Sequence, residues 1–428
     1  LNDGIKCHDG TALDANDIKY TIDKAFNSEN PSLTKGSWGP ITDVKVISPV
    51  KIQFTLEKPF VALISFLADS FSSIICDSNK NESGFGTSVA IGSGPWKFNS
   101  WAKGDRIDLE KNPSYRNFGK LAKNSGAPYM DGLIIKVVPE PQARLAALKT
   151  GEVHVAEPPF DDVPAIKDSG DLEIIVAENT GQNVFWEFAV HRPPFNDKRA
   201  RLAVGHATDP ATAIDLIYGD LSIPEACPVS RGVFGNDQEF CNKYRPDYDP
   251  EKAKALLAEM GFGEDNPLET SMIVWTGGNR QKLAEIFQAQ LAEVNIKAEI
   301  EIMDIGSMNA RVRQENENKS GTKGSMDMMT WSWYDPDILY ALWHTPGAYR
   351  GYTTPELDKL LEETRVLSDP ADRKAVVQEV FKHLLENGVH IPLYTPGWEW
   401  VFAVRPEVNG FMVAPFVYPI FSDVKLQN

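Results

Sequence analysis

No apolar run in the 428 residues approaches the roughly 20 needed to cross a bilayer. The longest apolar stretches, such as Phe60–Leu67, are short and interrupted. Nor is there a basic stretch followed by the apolar core of a signal peptide. Leu1 leads straight into Asn2, Asp3 and Gly4, so the chain is expected to be processed, trimmed or incomplete at its start. Positive charge is the scarcer sign, with 43 Lys and Arg against 60 Asp and Glu, a net charge of −17. Such a surface repels phosphate backbones and anionic lipid, which argues against nucleic-acid and membrane-surface roles. Cysteine is sparse, and no Cys-x-x-Cys occurs, which disfavours a zinc ribbon or a thioredoxin-type redox site. Phosphate-binding loop, dinucleotide fingerprint, Gly-x-Ser-x-Gly and His-Glu-x-x-His are all missing. No short-period repeat and no low-complexity linker is found.

The residues present describe a folded globular protein of two or three domains, 42% hydrophobic and 24% charged. The four cysteines allow three pairings, of which Cys7–Cys76 with Cys227–Cys241 is preferred. The latter two bracket a 13-residue loop rich in Gly, Pro, Asn and Asp. Four buried thiols are the alternative, and disulfides would favour an oxidising compartment. Helix signals are clear. Asp249-Pro250 starts a helix with Ala253, Leu256, Leu257 and Met260 on one face, stopped by Gly261. Asp369-Pro370 starts another, with Val376, Val377, Val380, Phe381, Leu384 and Leu385 inward and Gly388 closing it. Thr354-Pro355 begins a third, and Asp14 with Asp17 caps a fourth. Strands are expected at 44–47 and 51–56, joined by Ser48-Pro49, and at 106–110, 133–138, 172–176 and 297–302. The mixture indicates α/β or α+β lobes.

Six segments, in order, carry a resemblance. They are Cys7–Leu13 with Asp17–Tyr20; Gly92–Phe98 with Asn112–Tyr115; and Ala143–Leu148 with Gly151–Val153. They continue with Pro193–Asp197, Arg199 and Arg201 into Ala207–Asp209; with Tyr248–Ala253 through Gly261; and with Trp331–Asp337 followed by Pro392–Tyr394. Together the chain resembles the extracytoplasmic solute-binding proteins of peptide/nickel-type ABC importers, without the sequence that this family carries ahead of its His-Asp-Gly segment. The resemblance implies a mixed α/β, bilobal periplasmic-binding-protein fold with an accessory subdomain on the first lobe and a ligand cleft between lobes. Residues 1–91 are then the accessory subdomain, 92–180 and 396–428 lobe one, and 181–395 lobe two. Crossings near Thr180-Gly181 and Thr395-Pro396-Gly397 would act as hinges. The implied function is capture of a small solute, a peptide or peptide-like compound, and its delivery to a membrane permease. The protein is expected to be a periplasmic or extracytoplasmic monomer with no catalytic residues, metal or cofactor.

The aromatic run Trp331, Trp333 and Tyr334 is the first candidate for the ligand wall. Flat rings stack on a solute while indole N–H and phenol O–H donate hydrogen bonds. Asp335 can pair with a ligand ammonium group or cap the Pro336 turn. Peptide binders of the family place a carboxylate between the loop Trp and the Asp-Pro turn, where this chain has Trp333 and Tyr334. Such a loop suits oligosaccharides, opine-like conjugates or metal chelates as well as peptides. Trp186, Trp398 and Trp400 are secondary candidates, the last two sharing a face if they lie on a strand. His344, Arg350 and Tyr352 follow the aromatic loop, and Arg350 suits an anionic group.

Two other classes compete. A secreted enzyme such as a glycosidase needs a carboxylate pair, and nothing singles one out among 60 acids. A signalling or chaperone-like interaction protein is the third reading, since fold alone does not fix function. Ser32-x-x-Lys35 and Lys149-Thr150-Gly151 imitate penicillin-binding motifs, but the Ser-Asp-Asn between them is missing. His8-Asp9 has no second His at ligand spacing.

Overall fold

Aspartate and threonine caps start the helices as their side chains accept backbone N–H groups that the first turn leaves unpaired. Asp249 accepts from Lys252 N ahead of helix Pro250–Glu259, and Asp369 from Ala371 N and Asp372 N ahead of Pro370–Glu386. Thr354 does the same for Pro355–Val366, and Asp14 with Asp17 forms a reciprocal capping box at Ala15–Ala25. Gly261 and Gly388 follow their helices with φ of 85° and 59°, a conformation that a side chain disfavours. The computed structural model describes residues 1–27, 29, 35–177, 180–277, 279–332, 334–345, 349–397, 400–414 and 418–427.

The chain divides into two compact units, Leu1–Ala177 with Trp400–Asn428, and Glu178–Glu399. Residues 1–91 belong to the first unit together with 92–177. The segments expected as crossings, Thr180-Gly181 and Thr395-Pro396-Gly397, both lie in the second, where Thr180 Oγ1 donates to the Pro396 carbonyl at 3.3 Å.

The first unit holds the hairpin Ile41–Ser48 and Lys51–Leu56 and an antiparallel sheet of Trp96–Ala102, Arg106–Lys111 and Gly132–Lys136. A second antiparallel sheet places Val401–Val404 between Val155–Ala156 and Glu173–Val176. Its apolar side chains feed two small cores, one around Leu145, Leu148 and Ala403 and another around Phe402, Val404 and Phe411. The Cys7–Cys76 disulfide ties the start of the chain to the segment after helix Leu63–Leu67.

The second unit is built on one six-stranded mixed sheet. Its strands are β1 (Gln182–Phe188), β2 (Ser222–Pro224), β3 (Leu268–Trp275), β4 (Ile296–Met303), β5 (Ser325–Ser332) and β6 (Ile391–Pro396). The spatial order is β4-β3-β5-β1-β6-β2. β3 runs parallel to β4 and β5, linked through helices Arg280–Glu293 and Ile305–Glu317, while β1 lies antiparallel between β5 and β6. β1 and β6 are buried at every position, as expected of central strands covered on both faces. The second disulfide, Cys227–Cys241, closes a loop beside β1, and no described cysteine is free.

Candidate functional site

Strand alternation decides which aromatic residues can meet. In the antiparallel β1–β5 pair, Asn183 lies opposite Trp331, Phe185 opposite Met329 and Glu187 opposite Asp327. Directly opposed residues point to the same face, so these six share one side of the sheet. Trp186 points to the other side, fully buried against Phe287 with ring centroids 5.2 Å apart. It is a core residue, and the expectation that it lines a ligand wall with Trp331 is corrected by the period of two.

Along the shared face, the end nearest Trp331 forms a small recess within the second unit with room for about one water. Phe185, Val229, Val233, Trp331, Leu342 and His390 line it. His390 enters from the segment before β6 and stacks on Phe185 at 3.6 Å. Trp331 meets Tyr349 edge-on at 5.5 Å, and Tyr349 Oη donates to Asn309 Oδ1 at 2.6 Å. Burial holds the His390 pKa well below its ordinary 6.5, so the ring is neutral.

The opposite end of the same face is polar and closed. Arg350 is 0% exposed and sits among Glu187 (Nε–Oε1 3.2 Å), Glu315 (Nη1–Oε2 3.3 Å) and Asp327. Arg192 and Arg311 also reach Glu315, and Ser325 Oγ donates to it at 2.6 Å. Burial pushes Glu187 up to about 7, with Arg350 offsetting only part of the desolvation. Arg350 was expected to meet a ligand anion. Instead its guanidinium is buried among carboxylates of the protein itself.

The loop after β5 is equally committed. Asp335 is buried and forms a two-pronged pair with Arg373, at 2.9 Å and 2.5 Å, while accepting from Asp337 N. Asp337 pairs with Arg365 in the same way. Of the two roles expected for Asp335, the structure shows the cap of the Pro336 turn, and the carboxylate is buried and already paired with Arg373 rather than open to a ligand ammonium. Tyr334 is partly exposed at 37%. His344 stacks on Tyr340 at 4.0 Å and approaches Glu362 at 3.1 Å, and Tyr352 Oη lies 3.2 Å from His383 Nε2. Trp400 belongs to the first unit, packed on the Phe402 core. Trp333 and Trp398 lie outside the described residues. Of the ten candidates, Trp331 alone among the described residues lines the concavity. Asn183, Phe185 and His390 were missed, although counting by twos along β1 from Asn183 finds the first two.

The architecture is that of a two-unit, mixed α/β protein, and comparison with known proteins gives its class. Residues 1–350 match the family described as bacterial extracellular solute-binding proteins, family 5 middle. The chain belongs to this family and has its substrate-binding role. The glutathione-binding protein GsiB of Shigella dysenteriae is 26% identical over 445 residues, spanning 100% of this chain and 82% of the relative. Among solved structures, AppA of Bacillus subtilis in complex with a nonapeptide superposes with a TM-score of 0.83 at 21% identity, covering 100% of this chain and 86% of AppA. AgaA of A. tumefaciens R10, in complex with agropinic acid, gives 0.82 at 22% identity over 99% of this chain and 86% of AgaA. Among the described residues, no helix is long and apolar enough to cross a membrane.

Proposed function

We propose that this protein captures a peptide or peptide-like solute outside the inner membrane and delivers it to the permease of an ABC importer, without chemical turnover. The observation that carries the reading is the family match over residues 1–350. Peptide chemistry is supported by the relatives, whose names and complexes include glutathione and a nonapeptide. An extracytoplasmic location is supported by the family description and by two disulfides, which persist in oxidising compartments. Native mass spectrometry of the purified protein, followed by calorimetric titration with di- to nonapeptides, glutathione, opines, oligosaccharides and nickel–histidine chelates, tests the reading. Saturable peptide binding with unchanged ligand recovered afterwards supports it. Binding confined to another class, or conversion of the ligand, overturns it.

The pairing of Asp335 with Arg373 favours a second reading, a solute without a free ammonium group. N-acetylated peptides or opines would then bind at least as well as free peptides.

A further inference from the structure

The ladder between β1 and β6 runs out before either strand does. Its last direct pair is Tyr394 opposite Val184, whereas β1 begins at Gln182 and β6 ends at Pro396. Beyond that pair the two strand ends are joined through buried side chains. Thr180 Oγ1 donates to the Pro396 carbonyl at 3.3 Å, and the Thr180 carbonyl accepts from Ser230 Oγ at 2.6 Å. Next to Ser230, the Val229 carbonyl accepts from Asn236 Nδ2 at 2.8 Å, and the same amide reaches Glu225 Oε1 at 3.2 Å. Glu225 Oε2 accepts from Thr395 Oγ1 at 3.1 Å, which brings the path back to the residue before Pro396. The hydrogen bonds close a circuit.

Glu225 is the hub of this circuit. Its carboxylate also accepts from Ala226 N at 2.9 Å, from Cys227 N at 3.0 Å and from Gln238 Nε2. All of these donors are uncharged, and two oxygens that only accept are the pattern of an ionised carboxylate. A buried charge is tolerated only while its hydrogen bonds are made, so the carboxylate and its donors fix one another. The Cys227–Cys241 disulfide closes the loop that carries Ser230, Asn236 and Gln238, which limits how far those groups can drift. The chain passes between the two units at Ala177–Glu178 and at Glu399–Trp400, within four residues of Thr180 and Pro396.

We propose that this circuit is a yoke that makes the start of β1 and the end of β6 one mechanical root for both passages, so that the two ends loosen together and neither serves as an independent hinge. Glu225, Ser230 and Thr395 are its positioning residues. The inference goes beyond the receptor reading above and does not depend on it.

Hydrogen exchange of the full chain without solute, read by mass spectrometry, tests it. Ser230→Ala and Thr395→Val each remove one hydroxyl and cut the circuit once. Each is expected to speed exchange at residues 180–184 and 394–397 by about tenfold or more, while β3 and β4 keep their rates. A closed circuit opens at the first cut, so the double variant is expected to exchange at most about threefold faster than the faster single variant. Independent bonds would instead multiply, to about a hundredfold or more, and that result overturns the yoke. Unchanged exchange in either single variant overturns it too. So does equal acceleration in β3 and β4, which would report loosening of the whole unit. Should Thr395→Val not fold, Thr180→Val makes the second cut, at the Pro396 carbonyl, with the same expectations. Because no solute is present, a failure of solute binding sinks the receptor reading alone.

Discussion

Arg350→Met tests whether this arginine is structural or reserved for a ligand. Methionine keeps the length of the side chain and removes a guanidinium that is 0% exposed among Glu187, Glu315 and Asp327. Glu315 retains Arg192 at 3.7 Å and Arg311 at 3.1 Å, so the loss falls on Glu187 and Asp327. Removing one partner of a buried ion pair costs about 3–5 kcal/mol, a large share of the ~5–15 kcal/mol that holds a typical domain. The pH dependence supplies a second signature. Burial has raised Glu187 from its ordinary 4.5 to about 7, so the folded state binds more protons than the unfolded one in that window. Stability of the parent protein therefore falls as pH rises from 4.5 to about 7, with a total on the order of 3 kcal/mol from this group. Without Arg350 the folded value climbs further and the decline continues above 7. Urea unfolding at about pH 5.5, 7 and 8 should show a deficit that is smallest in acid and largest near pH 8. A variant as stable as the parent near pH 8, with lost affinity for anionic solutes, would refute the structural role.

Three further outcomes are expected. Trp331→Ala weakens solute binding by more than ~1 kcal/mol in calorimetric titration, as loss of an aromatic anchor does, measured at a temperature where the variant is folded. Asp335→Asn leaves the buried Arg373 guanidinium without its counterion and lowers urea stability by on the order of 3 kcal/mol, while the affinity ratio of free to N-acetylated peptides stays unchanged. Replacing both Cys227 and Cys241 by Ser, which opens a link across a sequence separation of 14, destabilises the second unit by about 3 kcal/mol, measured as a shifted urea midpoint under non-reducing conditions.

Local chemistry was the most legible part of the sequence. Asp249-Pro250, Asp369-Pro370 and Thr354-Pro355 start helices where their caps indicate, because capping depends on residues three or four apart. The strands 297–302 and 106–110 lie within Ile296–Met303 and Arg106–Lys111 for the same reason. The candidate site was less legible, since it depends on partners remote in sequence. Nothing near Arg350 announces Glu187, 163 residues away, and an arginine after an aromatic loop reads naturally as an anion anchor. Asp335 is similar, with Arg373 lying 38 residues on in helix Pro370–Glu386. His390 escaped notice because a lone histidine just ahead of an apolar strand is ordinary core material, and its contact with Asn183 spans 207 residues.

The strand Val401–Val404 has a consequence for synthesis. It fills the centre of a sheet whose outer strands, Val155–Ala156 and Glu173–Val176, precede the whole of residues 178–399. A ribosome adding roughly 5–20 residues per second makes those earlier strands wait about 11–45 s for their middle partner. The second unit is continuous in the chain, but its own interior strand β6, Ile391–Pro396, is made only just before Val401, so both sheets receive a middle strand at the end of synthesis. The N-terminal unit is thus begun first and finished last, and a partly made chain exposes unpaired strand edges in both units.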